Sequence, residues 1–186
     1  MVNGDAKSAA LLAGRGSVVL SLAPRASTAP SRGLAGDWVT DTRAWLIGRN
    51  LPGMRAADII RGVDMLVARP DVNAAAISAA AHDVAGVWLL MAAALDPRIS
   101  KIWLHRTPYS LRVSLDGPLN RNLHDALIPG FALRWDLADL KQALGSRPLI
   151  WTDPTDWMGK VIPNVDGCVY RTFEEPDERF WEKLIR

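Results

Sequence analysis

The chain has 186 residues, 49% of them hydrophobic, which suits one domain with its own core and is too little for two. Its 22 basic and 20 acidic residues are scattered and leave a net charge of +2, so no basic block marks a phosphate-tracking surface and no nucleic-acid partner is expected. Cys168 is the single cysteine, which excludes an internal disulfide framework and a cysteine-based zinc motif. A reducing compartment fits, and the expected location is the cytoplasm.

Taken in chain order, apolar runs alternate with helical patterns. The opening "MVNGDAKSAALLAGRGSVVL" has no basic start before an unbroken apolar stretch, because Arg15 divides it, so no signal peptide is expected. Residues 6 to 13 predict a short helix closed by Gly14 and Gly16, and "SVVLSLA" (17 to 23) a strand. A loop rich in Pro, Ser and Gly runs from Pro24 to Gly36. "DWVTDTRAWLIG" and "MRAADIIRGVDMLVARP" predict two helices, the second with Ile59, Ile60, Val63, Leu66 and Val67 on one face and Pro70 after its end.

Residues 74 to 95 are apolar enough to suggest a membrane span, but Ser78, His82 and Asp83 lie inside it, and an ionisable pair at mid-bilayer is costly. A buried strand, "AAAISAA", followed by a buried helix, "AGVWLLMAAAL", is the expectation, with no membrane partner. "SKIWLH" predicts the next strand. Residues 106 to 135, with Pro108, Gly117, Pro118 and Pro129, form an irregular stretch that suits a cap or loop insertion. "DLADLKQALG" predicts a helix, "RPLIWT" (147 to 152) and "GCVYRTF" (167 to 173) strands, and "PDERFWEKLIR" a terminal helix with Pro176 in its first turn. The expected fold is one α/β domain over residues 1 to 186, a mainly parallel sheet of about five strands with helices on both faces.

"DMLVARPDVNAAAISAAAHDVAGVWLLMAAALDPRI" (64 to 99) resembles the central segment of α/β-hydrolase esterases of the acetyl xylan esterase and dienelactone hydrolase type. In that family a helix, an "RPDVD"-like turn and a strand lead into a nucleophile elbow, G-x-S-x-G-G. "SRPLIWTDPTDWMGK" (146 to 160) resembles the strand and loop carrying the family's acidic triad member, which implies that role for Asp156, with Asp153 nearby. "SVVLSLAPR" resembles an earlier strand ending in an "xDxRG" loop. The resemblance covers most of the chain and rests on segment order as much as on motifs.

The departures from that pattern reshape the expected chemistry. The elbow projects its nucleophile from a sharp strand-to-helix turn flanked by small residues. Here it reads Ala81-His82-Asp83-Val84-Ala85-Gly86, with Asp83 where the family has Ser. A serine mechanism is lost there. An Asp nucleophile, as in dehalogenase-like relatives, needs a His base after the last strand, and residues 167 to 186 contain none. The N-terminus is short for the family, so the first three strands and one oxyanion-hole amide are expected to be absent. An incomplete sheet edge and uncovered helix faces imply a homo-oligomer.

Open α/β sheets place functional residues beyond the carboxyl ends of their strands. His82 and Asp83 follow one strand, His105 ends the next, Asp153 and Asp156 follow the one after, and His124 and Asp125 lie in the irregular stretch. Imidazole and carboxylate groups converging from several loops can bind Zn or Mn and activate water. The expected function is metal-assisted hydrolysis of a small-molecule ester or phosphoester, with His82 or Asp83, His105, His124 and Asp156 as ligands and Arg106 holding an anionic group. A non-catalytic relic or binding module of the esterase family, and a hydrolase with Asp83 as covalent nucleophile, are the alternatives. No H-x-x-x-H or H-E-x-x-H spacing occurs, and a lone His at a strand end is ordinarily structural. Trp88, Trp103 and Trp151 are expected in the core, and Trp38, Trp45, Trp135 and Trp157 nearer loops, where they could line a pocket or an oligomer contact. Cys168 in an apolar run is expected to be buried and inert.

Overall fold

In a computed structural model of the chain, the structure describes residues 6–27 and 33–170. The elements in order are α1 (Ala6–Ala13), α2 (Trp38–Leu46), α3 (Leu51–Val67), β1 (Ile77–His82), α4 (Ala85–Leu95), β2 (Ile99–His105), α5 (Leu137–Ala143) and β3 (Leu149–Thr152). The three strands form one parallel sheet in the order β1-β2-β3. The expected α/β class with a parallel sheet is therefore present. The expected five strands are not, since the sheet described has three.

The two missing strands have different reasons. In "SVVLSLA" only Leu22 makes an isolated bridge, and the apolar side chains of Leu20 and Leu22 pack instead against α3, where a Cβ on Gly62 would touch both at 3.3 Å. These two side chains gain their burial from a helix face. "GCVYRTF" contributes Val169, bridged in parallel to Thr152, with Val169 N donating to Trp151 O at 2.8 Å. Residues 171–173 of that stretch, like the expected terminal helix, lie outside the described residues.

Strand β1 also begins later than its sequence suggests. Asn73 accepts a hydrogen bond from Ala75 N at 3.1 Å and closes a 3-10 turn over Ala74–Ala76, which postpones extension to Ile77. Helix α3 starts earlier than expected, capped by Asn50 on Gly53 N with Pro52 in the first turn. Helix α5 carries a reciprocal cap between Asp136 and Asp139.

Register fixes which side chains share a face. The rows Ala79–Ile102–Leu149 and Ala81–Leu104–Trp151 lie on one side of the sheet and join the main core with α3, α4 and α5. The row Ala80–Trp103–Ile150 lies on the other side as a smaller cluster. Helix α4 is buried nearly all round, from Ala85 through Ala93, as its uniform apolarity requires. At the amino end of the sheet, Arg98 forks onto Asp96 at 2.6–3.1 Å and reaches Asp64 at 2.7 Å, while Arg147 donates to the carbonyls of Asp96 and Ile99 at 3.1 Å. The apolar region from 74 to 95 is strand β1 followed by helix α4, as expected, and among the described residues no helix is long and apolar enough to cross a membrane.

One contact sets the angle at which α4 leaves the sheet. A Cβ on Gly86 would lie 1.9 Å from Thr107 Oγ1 and 2.7 Å from its Cγ2, so the chain after β2 packs directly on the first turn of α4. Gly86→Ala is expected to lower stability by about 1–3 kcal/mol through this overlap. In chemical denaturation, Gly86→Ala with Thr107→Ala should recover part of that loss, and a G86A midpoint equal to wild type would show that the contact is not tight.

Candidate functional site

The three strands end alike at their carboxyl edge. Their last residues, His82, His105 and Thr152, stand in one row across the sheet. Each is followed by a residue at positive φ: Asp83 (54°), Arg106 (50°) and Asp153 (49°). Each of these gives its N–H to the carbonyl of the neighbouring row: Asp83 to His105 at 3.0 Å, Arg106 to Thr152 at 2.9 Å, and Asp153 to Val169 at 2.9 Å. The left-handed turn costs a non-glycine residue on the order of 1 kcal/mol, least for Asp, whose short side chain tolerates it. It throws the three side chains that follow the row out beyond the sheet edge. At Asp83 the turn runs straight into α4, with Gly86 N on Asp83 O at 3.0 Å.

The two imidazoles of the row touch. The rings of His82 and His105 stand edge to face, 5.1 Å between centroids and 61° between planes. Burial holds the His82 imidazole below its ordinary pKa, the Asp83 carboxylate opposes that, and the Arg106 guanidinium adds to it. The residue as a whole is exposed while its ring is partly shielded against His105, so the effect on stability is modest. His105 is mostly buried, with Nδ1 3.0 Å from Thr152 Oγ1 and 3.8 Å from Asp153 Oδ2. Arg106 turns one N–H onto Gly159 O at 2.8 Å.

The remaining two expected ligands have other partners. Asp156 accepts N–H bonds from Met158 at 2.8 Å and Lys160 at 2.9 Å, closing its own turn. His124 Nδ1 lies 3.0 Å from Asp41 Oδ2, beside the Trp45 ring at 6.4 Å. Among the described residues, His, Cys, Asp and Glu side chains nowhere gather in a group of three or more that could hold a metal ion. The set His82, Asp83, His105, His124 and Asp156 is thus not assembled as one cage. His82, Asp83, His105 and Arg106 share the edge, while His124 and Asp156 are committed to α2 and to a turn.

Several partners escaped the sequence. Thr152 is the neighbour of His105 and is itself held by Trp103 Nε1 at 3.1 Å, and the signal for that contact is the cross-strand register. Arg55 of α3 is fully buried, paired with Asp125 at 2.5 Å and lying over the Trp88 ring at 4.2 Å, while Trp88 Nε1 donates to Asp125 O at 2.6 Å. Asp125 is therefore an anchor of the irregular stretch. Trp88, Trp103 and Trp151 are buried as expected; Trp157 lies in a loop, as expected, and is buried there, with Nε1 donating to Ser110 O at 2.7 Å. Cys168 is half-buried, and burial pushes its thiol above the ordinary pKa, with Lys141 opposing, which disfavours the reactive thiolate.

No family model matches the chain, and no curated protein matches its sequence.

The pairing of His124 carries a pH signature. Asp41 is fully buried, and its Oδ1 has no hydrogen-bond partner. Burial pushes its carboxyl above the ordinary range, the hydrogen bond and charge of His124 and an N–H from Leu51 pull down, and Asp125 pushes up. A carboxyl raised by folding favours the folded state below its unfolded value, about 4, and that advantage fades as pH rises through this value toward the folded one. Asp41→Asn keeps an acceptor for His124 and removes the titration. Its Tm minus that of wild type is expected to grow as pH is raised from about 4 toward neutrality; a gap that narrows over that range would contradict the buried-carboxyl account.

Proposed function

We propose that the chain is a hydrolase of small-molecule ester or phosphoester bonds on an α/β-hydrolase-like scaffold, working at the carboxyl edge with His105 as general base. The observation that carries this reading is the position of His105, held at Nδ1 by Thr152 and flanked by Asp153, in one row with His82 and next to the Asp83 corner. The resemblance of residues 64 to 99 and 146 to 160 to esterase segments supports the same assignment, since their strand-to-helix turn coincides with the positive-φ corner at Asp83.

In this reading His105 Nε2 takes a proton from water, and the resulting hydroxide attacks the carbonyl carbon or the phosphorus. The imidazolium, stabilised by the Asp153 carboxylate, then returns the proton to the leaving alkoxide. Arg106 supplies positive charge beside the developing anion. Its remaining N–H groups suit that task, one being used on Gly159. Zn or Mn held by His82 or Asp83, His105, His124 and Asp156 would instead supply an activated water, and no step here is routed through it.

One feature favours a second route, with Asp83 as covalent nucleophile. Its positive φ at the entrance to α4 is the backbone setting of a nucleophile, and His105 on the next strand could serve as the base that the sequence after the last strand lacks. Attack of the Asp83 carboxylate on the acyl carbon or phosphorus would expel the alkoxide and leave a mixed anhydride or acyl phosphate on Asp83, which His105-activated water then hydrolyses back to the free carboxylate.

Copies of the chain are included in the proposal as a homo-oligomer. Trp38, Trp45, Leu46 and Ile47 of α2 and its C-cap are exposed at 50%, 37%, 81% and 71%, an apolar density that favours association. Light scattering at micromolar concentration should give a mass above 20.3 kDa, and a clean monomer would remove this part.

Assays on aryl esters and aryl phosphoesters test the chemistry. His105→Ala is expected to lower kcat by about 10²–10⁴-fold, and exhaustive chelation to leave the wild-type rate unchanged. An acyl or phosphoryl adduct trapped on Asp83 in the H105A protein, seen by mass spectrometry, would select the covalent route. Turnover that vanishes with chelator would return the metal-assisted mechanism, and a wild-type protein without any turnover would leave a binding module or relic.

A further inference from the structure

The hydroxyl of Thr152 is the centre of a hydrogen-bond set that can be counted atom by atom. Three polar neighbours lie around Oγ1: Trp103 Nε1 at 3.1 Å, His105 Nδ1 at 3.0 Å and Leu104 O at 3.2 Å. An indole N–H can only donate, a carbonyl oxygen can only accept, and a hydroxyl offers one hydrogen and two lone pairs. Trp103 takes one lone pair. Leu104 O can be satisfied only by the single hydrogen, so the arrangement that makes all three contacts favourable directs it there. What remains on Oγ1 is one lone pair facing His105 Nδ1, and a lone pair can make that contact favourable only if Nδ1 bears the proton.

A second group acts in the same direction. Asp153 Oδ2 lies 3.8 Å from the same nitrogen, and a carboxylate favours an N–H over a nitrogen lone pair beside it. The frame that holds these atoms is rigid. Thr152 and Trp103 are buried to within 3% and 1%, and the positive-φ turn after Thr152 is pinned through Asp153 N and Val169 O. Thr152 can therefore neither rotate into solvent nor exchange its partners for water.

We infer that Thr152 is a positioning residue that sets the tautomer of His105, fixing the proton on Nδ1 and leaving the lone pair on Nε2. Resting on the functional reading above, this makes Nε2 the atom that takes the proton from water. Thr152 does not touch the reacting atoms; it acts through the imidazole. Trp103 is an indirect member of the set, because its indole N–H occupies the lone pair that Thr152 would otherwise present elsewhere.

The test reads the tautomer itself. With imidazole-labelled histidine in the full chain, long-range nitrogen–proton spectra at a pH where His105 is neutral should show a pyrrole-type Nδ1 and a pyridine-type Nε2. Thr152→Ser keeps the hydroxyl and should keep that pattern. Thr152→Val removes it and should move His105 toward the opposite tautomer, and kcat should fall by about tenfold, the worth of one orienting hydrogen bond, with KM little changed. A pyridine-type Nδ1 in the wild-type protein would overturn the inference without any variant, as would an unchanged tautomer in a folded T152V protein. An Nδ1–H that depends on Thr152 in a protein with no turnover would uphold the positioning role and defeat the hydrolase reading, so the two failures are separate.

Discussion

The repeated end of the three strands is the constraint on which the site depends. Parallel strands offer their carbonyl ends together at one edge, and here each chain leaves that edge by a single left-handed residue whose N–H caps the adjacent row. Without that turn, Asp83, Arg106 and Asp153 would continue the alternation of the pleat and point to the face opposite their predecessors. With it, they are redirected at the edge itself. The strain is of order 1 kcal/mol per residue, and packing on both sides holds it. Thr107 seats against Gly86 below the first corner, Trp151 and Thr155 hold the second through the carbonyls of Thr107 and Arg106, and the Val169 bridge secures the third.

The irregular stretch from 106 to 135 is held in place by polar anchors inserted into the core. Arg55 reaches from α3 to Asp125, Trp88 reaches from α4 to the same residue's carbonyl, and Asp41 reaches from α2 to His124. Charges taken out of water seldom add net stability, but breaking one of a pair leaves the other buried and uncompensated, so such contacts specify one arrangement. That accounts for the use of His124. A histidine whose Nδ1 faces a fully buried carboxylate is spent on docking α2 against the loop, and the joint proximity of three histidines that sheet-edge logic suggests is reduced to two.

How far the sequence revealed this arrangement follows from which signals are local. Helix α4 was legible to the residue because its apolarity is uniform and its ends are marked by the His82-Asp83 break and Asp96. The strand ends at His105 and Thr152 were legible too, each closing a β-branched and aromatic run. The row they form was not. "IWLH" and "IWTD" look like equivalents with the tryptophans aligned, yet the register pairs Trp103 with Ile150, one residue out of step. A shift of one flips the face, so Trp151 enters the main core while Trp103 turns to the other side and meets Thr152. No local pattern encodes that offset, and with it went Thr152 as a neighbour of His105. Of the strand expected at 17 to 23 the described residues show an isolated bridge at Leu22, with Leu20 and Leu22 packed on α3, since β propensity describes fit to a half-buried surface and a helix face offers one as a sheet does.

The chemistry open to this edge is limited by what the imidazoles can carry. Burial already holds His82 below its ordinary pKa, and Arg106 adds to that. Its ring stands 5.1 Å from that of His105, so a second cation in the row would face both a like charge and a poorly solvated position. Burial and Arg106 thus favour a neutral His82 beside the base proposed at His105. Once one imidazole has accepted a proton, the countercharge must come from the corners, where Asp83 and Asp153 flank the row on either side and Arg106 stands between them. The left-handed turns thus supply more than direction. They place one carboxylate at each end of the histidine pair, so that a proton taken up within the row meets negative charge from both sides.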